Sequence, residues 1–285
     1  MKNSASTGPA SCGQGAFYLH PVMTKKIGKR ALLCATALVS VAGAGWADEV
    51  IDGGAVEIVD GAGTVAGGTK DSPWTITELL DVGYTGVGEL IVRNGGSVSN
   101  RKGYIGTFFG SDGKVTVTGE GSSWANSGGL FVGNMGMGTL TVAAGGSVSN
   151  TDGYIGRDAG SEGKVTVTGA GSSWETSETL FVGMDGTGAL TIADGATVTV
   201  GGGVNLATQL SAAGTLNIGP AAGDNAAAAG TLAAANVGFG AGAGEIVFNH
   251  TDTGYAFDPT ISGNRSVSVL AGTTVLNGTH SYSGG

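Results

Sequence analysis

The sequence predicts an all-β chain wound as a right-handed parallel β-helix with coils of about 25 residues. Three observations carry that expectation. Gly88-Glu89-Leu90-Ile91-Val92, Gly113-Lys114-Val115-Thr116-Val117, Gly138-Thr139-Leu140-Thr141-Val142, Gly163-Lys164-Val165-Thr166-Val167 and Gly188-Ala189-Leu190-Thr191-Ile192 begin 25 residues apart each time. Between those starts lie two more short apolar segments, of the Ser-Val-Ser or Ser-Ser-Trp type and the Tyr-Ile-Gly or Leu-Phe-Val-Gly type. Such runs, bounded by Gly, Asn, Asp and Ser, read as strands between turns. No stretch after residue 47 sustains a 3.6-residue apolar period.

The first 47 residues read as an address. Residues 1–22 are a non-native or extended N-terminus without apolar periodicity. Residues 23–47 form a secretory signal: a basic Met23–Arg30 region, an apolar run from Ala31 to Ala42, and small residues up to a cut between Ala47 and Asp48. The apolar run falls short of the ~20 residues a permanent membrane helix needs. Cys34 lies in it, but Leu33 before it is not the small residue a lipid-anchor signal uses. Cys12 and Cys34 both precede the cut, so the mature chain has no cysteine and no disulfide.

Residues 48–87 do not match the coil pattern and are expected as an N-terminal cap, with Ile58-Val59, Trp74–Thr77 and Leu79-Leu80 folding over the first coil. Residues 88–203 are the repeat helix. Within it, 88–137 and 138–187 align without a gap and match at about two-thirds of positions. A propeller blade could use a 50-residue unit, but it has no reason to contain two equivalent halves. Leu90, Val115, Leu140, Val165 and Leu190 should stack in one interior column. With one residue inserted in the Trp-bearing coils, Asn100, Asn126, Asn150 and Thr176 fall at matching turns and read as a hydrogen-bonded ladder, the alternative being a ligand-binding row. Trp124, Val148 and Trp174 then share an interior column, the alternative being a carbohydrate-binding face. Residues 204–243, rich in Ala and Gly, are expected as irregular coils or an inserted loop.

The unit Gly-Lys-Val-Thr-Val-Thr-Gly-x-Gly-Ser-Ser-Trp followed by Leu-Phe-Val-Gly resembles the type V secretion and PEP-CTERM-associated repeat of bacterial autotransporter passengers. The segment 244–285, through Leu270-Ala271-Gly272-Thr273-Thr274 to Tyr282-Ser283-Gly284-Gly285, resembles a truncated autotransporter-associated β-strand repeat. The resemblance implies a β-helical passenger displayed on the cell surface or outer membrane, or secreted. It implies an adhesin or other virulence-associated role, toward an unnamed host-surface, matrix or glycan ligand. The family also carries an outer-membrane translocator barrel; nothing in this sequence resembles one, and a truncated gene, a frameshift or a fragment is the expected reason.

Composition and motifs narrow the chemistry. With 57 glycines but 41% hydrophobic and only 12% charged residues, the chain is neither disordered nor, with 5 prolines and no three-residue glycine period, collagen-like. A net charge of −9 argues against a nucleic-acid partner. Gly61-Ala62-Gly63-Thr64-Val65-Ala66 mimics a dinucleotide fingerprint, but Gly67–Pro73 cannot continue as its helix. His20, His250 and His280 are the only histidines, there is no Gly-x-Ser-x-Gly elbow, and His250 and His280 read as loop residues. Asp112, Asp152, Asp185 and Asp194 sit beside glycines as turn formers, and a calcium β-roll would need a nine-residue period. No catalytic, cofactor or metal residue is assigned. The expected function is a non-catalytic structural or adhesive passenger, the alternative a polysaccharide-cleaving β-helix lyase or hydrolase.

Overall fold

The computed structural model describes residues 48–62 and 69–284. The expected leader at 23–47, the segment before it and Ala47 of the expected cut lie outside the described residues. Asp48 is the first described residue and is exposed.

Among the described residues there is no helix. The strands form three long parallel sheets. A ten-strand sheet runs from Glu49–Ile51 to Ser281–Tyr282, a nine-strand sheet from Ala55–Asp60 to Ser266–Ala271, and a seven-strand sheet from Trp74–Thr75 to Thr231–Ala234. In each sheet every strand pairs with the third strand before and after it in sequence, which is a solenoid of three strands per coil. The fold class is therefore an all-β parallel solenoid with the 25-residue step the sequence predicts.

The register explains the recurring residues. Leu90, Val115, Leu140, Val165 and Leu190 are successive partners, and Leu216 and Ile246 extend the column. All seven are fully buried. The glycine two residues before each is a close-approach position: a Cβ on Gly113 would lie 2.0 Å from the Val82 carbonyl oxygen, and one on Gly163 2.2 Å from that of Val132. Turns stack as well as strands. Gly106, Gly133, Gly156 and Gly183 each donate their N–H to a carbonyl one coil back, at 2.9, 2.8, 2.9 and 2.7 Å. A coil on its own would leave these groups unpaired, so the repeat is stable only as a stack.

The 50-residue period has a packing cause. The column Trp74, Val98, Trp124, Val148, Trp174, Val198 alternates large and small. Beside it on the ten-strand sheet, Gly103, Leu130, Gly153 and Leu180 alternate too. The indole Cζ2 of Trp124 lies where a Cβ on Gly103 would come within 2.6 Å. Trp124 and Trp174 therefore overhang Gly103 and Gly153 of the preceding coils, and two unequal coils together fill the core closely. Buried at 0–2% exposure, Trp124, Val148 and Trp174 are core residues, so a carbohydrate-binding face made by these tryptophans is ruled out.

Three expectations are corrected. Residues 48–87 are coil rather than an overlying cap: Glu49–Ile51 pairs with Leu79–Val82, Ala55–Asp60 with Val87–Arg93, and Trp74–Thr75 with Val98-Ser99. Short strands and a long connection between Asp60 and Trp74 hid the period. Residues 204–243 are also regular, contributing Ala213–Ile218, Thr231–Ala234 and Asn236–Phe239 to the three sheets. Their inward Val204, Leu206, Leu216, Ile218, Leu232 and Val237 keep the core pattern, and only 219–230 is extra chain. The asparagine row is not a continuous ladder. Asn100 donates to Asn126 Oδ1 at 2.8 Å and Asn150 to Thr176 Oγ1 at 3.2 Å, but Asn126 turns to the Ser149 carbonyl at 3.3 Å.

The segment 244–285 extends two of the sheets. Its Tyr255–Phe257 and Thr274–Leu276 strands pair only with each other, so the third face breaks after Thr231–Ala234.

Candidate functional site: the outer face and its turn corner

Outward positions decide what this solenoid can contact. On the ten-strand sheet, Tyr104, Phe131, Tyr154 and Phe181 are register neighbours. Their rings stack with centroids 4.6, 4.7 and 5.2 Å apart and planes within 6°. Parallel in-register strands place like side chains one above another at the ~4.8 Å strand spacing, which sets this geometry. The ring faces are occupied by one another and the ladder presents edges, so it stiffens the sheet rather than offering a stacking platform to a sugar. Burial and nearby Asp81 raise the Tyr104 hydroxyl, and burial with Asp152 raises that of Tyr154.

Asp81 is the register neighbour preceding Tyr104. Burial pushes its carboxyl up to about 6, with Asp48 adding to the rise and the hydrogen bond donated by Thr107 Oγ1, at 2.7 Å, opposing it. Asp60 goes the other way, held low by the Ala62 N–H and by Arg93, whose Nε lies 2.8 Å from Oδ2. Each of these carboxylates is tied to a neighbouring coil.

The corner between the ten-strand and nine-strand sheets is different in kind. Its backbone repeats faithfully: Thr107, Asn134, Arg157, Met184 and Thr208 each donate an N–H to the glycine carbonyl of the preceding coil, at 2.9–3.0 Å. Its side chains do not repeat. The first repeat carries Thr107-Phe108-Phe109 and Asn134-Met135 where the second carries Arg157-Asp158-Ala159 and Met184-Asp185. Phe109 is 71% exposed and Met137 49%. Tyr84 meets Phe108 edge-on at 4.9 Å. Farther along, Arg157, Asp158, Met184, Asp185, Gln209, Leu210 and Ser211 line an open groove of about 400 Å³.

Trp124 and Trp174 donate Nε1–H to Asn100 and Asn150 Oδ1, both at 2.6 Å. A second groove of about 480 Å³ passes Asn100 and Asn126, but both are nearly buried and bonded to each other, which favours the structural role over a ligand row. His250 is not a loop residue but a fully buried side chain, with Nε2 2.8 Å from Thr274 Oγ1. Ring Nδ1 of His280 accepts from the Ile261 N–H at 3.0 Å. Asp152, Asp185 and Asp194 lie in turns or bends, whereas Asp112 opens the Asp112–Thr118 strand. Among the described residues no three His, Cys, Asp or Glu side chains gather as a metal site. The sequence signal of the aromatic ladder is the aromatic residue that recurs in the middle of the Tyr-Ile and Phe-Val motifs. The corner was legible as the place where aligned repeats diverge.

No family model matches the chain, and no solved structure does. A 91-residue stretch is 47% identical to the uncharacterized lipoprotein YdeK of Escherichia coli K12. That stretch covers 30% of this chain and 7% of that protein.

Proposed function

We propose that the chain is a passenger segment of a bacterial autotransporter, exported and then displayed or released as a structural, adhesin-like solenoid without catalytic activity. The observation that carries this reading is the division of sequence change between inside and outside. Leu90, Val92, Val98, Ile105, Val115, Val117, Trp124, Leu130 and Val132 recur unchanged 50 residues later, and all are buried, while the exposed corner changes. A scaffold for display needs a constant interior under a variable surface. An enzyme needs acid, base or nucleophile brought together on one coil. The perturbed carboxylates Asp52, Asp60 and Asp81 instead serve Thr85, Arg93 and Thr107, which gives the polysaccharide-cleaving reading the weaker support.

Export is supported by the leader pattern over 23–47 and by the partial likeness to a protein named as a lipoprotein. Leu33 before Cys34 favours the cut after Ala47 over a lipid anchor. The test is protease treatment of intact bacteria expressing the gene, with N-terminal sequencing of the product. The reading expects a chain that begins at Asp48 and is digested on intact cells. A chain that keeps residues 23–47 and is cut only after lysis contradicts it. Turnover of a polysaccharide by the purified chain would overturn the non-catalytic part.

A further inference from the structure

The corner groove stands apart because the fold does not require its residues. Phe108 and Asp158 occupy the same turn, and in both the carbonyl accepts the N–H of the serine three residues on, at 3.0 Å. Gly110 and Gly160 follow with φ of 78° and 80°. The same backbone accepts a phenyl or a carboxylate, so the choice is free for another purpose.

What the groove presents is mixed. Arg157 donates to Asn134 Oδ1 at 3.0 Å and lies 5.2 Å from the Phe131 ring centroid, which fixes its guanidinium at the groove wall. Its Nε is 3.8 Å from Asp158, and both side chains remain more than one-third exposed. Ser211 donates to Asp185 Oδ1 at 2.5 Å, leaving the second carboxylate oxygen as an acceptor. The Gln209 amide makes no side-chain hydrogen bond among the described residues, and Leu210, at 84% exposure, forms an apolar lip. Two carboxylates against one guanidinium, on a chain of net charge −9, repel an anionic ligand. Asp158 faces Arg157 and Asp185 accepts from Ser211, and among the described residues no three acidic, His or Cys side chains gather here to hold a cation. Planar donors and acceptors beside an apolar wall match a ligand rich in hydroxyl groups and poor in charge.

We infer that the groove lined by Arg157, Asp158, Asp185, Gln209 and Leu210 binds a neutral glycan segment lying along the solenoid axis. This gives the adhesive role proposed above a ligand class, and it is tested on purified protein, independently of display on cells.

Isothermal calorimetry of the full chain against cellohexaose, maltohexaose and mannohexaose, with hexagalacturonate as the charged counterpart, tests it. Saturable binding of at least one neutral hexasaccharide, stronger than that of hexagalacturonate, is expected. Exchanging the corner for its counterpart in the first repeat, by Arg157→Thr, Asp158→Phe and Asp185→Met together, should weaken binding at least tenfold at an unchanged melting temperature. Gln209→Ala, which removes no internal side-chain bond among the described residues, should weaken it severalfold and guards against misfolding of the triple variant. No neutral binding at millimolar sugar, preference for hexagalacturonate, or undiminished binding by both variants would overturn the inference. Shortening of the bound sugar would support the site while contradicting the non-catalytic reading.

Discussion

Trp124 carries more than apolar area. Its Nε1–H satisfies Asn100 Oδ1 while its ring fills the space left by Gly103, so indole, amide and glycine form one unit across adjacent coils. Trp124→Phe keeps an aromatic ring but leaves a buried acceptor unpaired, and should cost about 1–3 kcal/mol in urea unfolding; a cost near zero would mean water reaches Asn100. Asp81 sets a pH dependence. Its folded value, about 6, lies above the ordinary 3.8, so the ionised form is less welcome in the fold than in the unfolded chain. The stability it supplies is whole below about pH 4 and is lost as pH rises through about 6. Asp81→Asn retains an acceptor for Thr107. It should match the parent near pH 3.5 and exceed it at pH 7.5 by about 1–3 kcal/mol, reading ~1.36 kcal/mol per unit and discounting for partial hydration. Parallel stability curves for the two proteins would contradict that assignment. Of these residues, the sequence placed Trp124 inside through its alternation with Val148. It could not reveal the indole–amide bond or the Asp81 environment, because both depend on which atoms of neighbouring coils meet.

At the scale of the element, the working unit is a pair of coils. Removing residues 138–162 would bring the Trp124 coil directly against the Trp174 coil, with Leu130 facing Leu180 and no Gly153 between. Removing 138–187 instead brings Trp124 against Val198, the kind of neighbour it has now. The 25-residue deletion should therefore melt about 2–12 °C below the 50-residue deletion although it loses less chain, since overpacking costs ~1–3 kcal/mol and a domain of this size shifts ~2–4 °C per kcal/mol. Equal melting temperatures would show that the alternation is not needed. The repeats at 88–203 were readable because Gly, Leu-Thr-Val and Trp recur at fixed steps. The coils at 48–87 and 204–243 were not, because composition drifted to Ala and Gly and insertions shifted the spacing while the inward Val, Leu and Ile positions held.

Over the whole molecule, three sheets and their turns share one axial ladder, and function is left to whatever projects from it. The corner bearing Phe108 and Phe109 at one level and Arg157 and Asp158 two coils on shows how far that surface changes over a constant core. The solenoid requires parallel, in-register stacking of successive coils. Spin labels at the outward positions Lys114, Lys164 and Thr215, which lie two coils apart at each step, measure it directly by electron paramagnetic resonance. At ~4.8 Å per coil, separations of about 10 Å for the first pair and about 19 Å for the outer pair are expected, rising in equal steps. Unequal steps, or an outer pair closer than the inner one, would place these segments in hairpins or separate sheets and contradict the stacked solenoid.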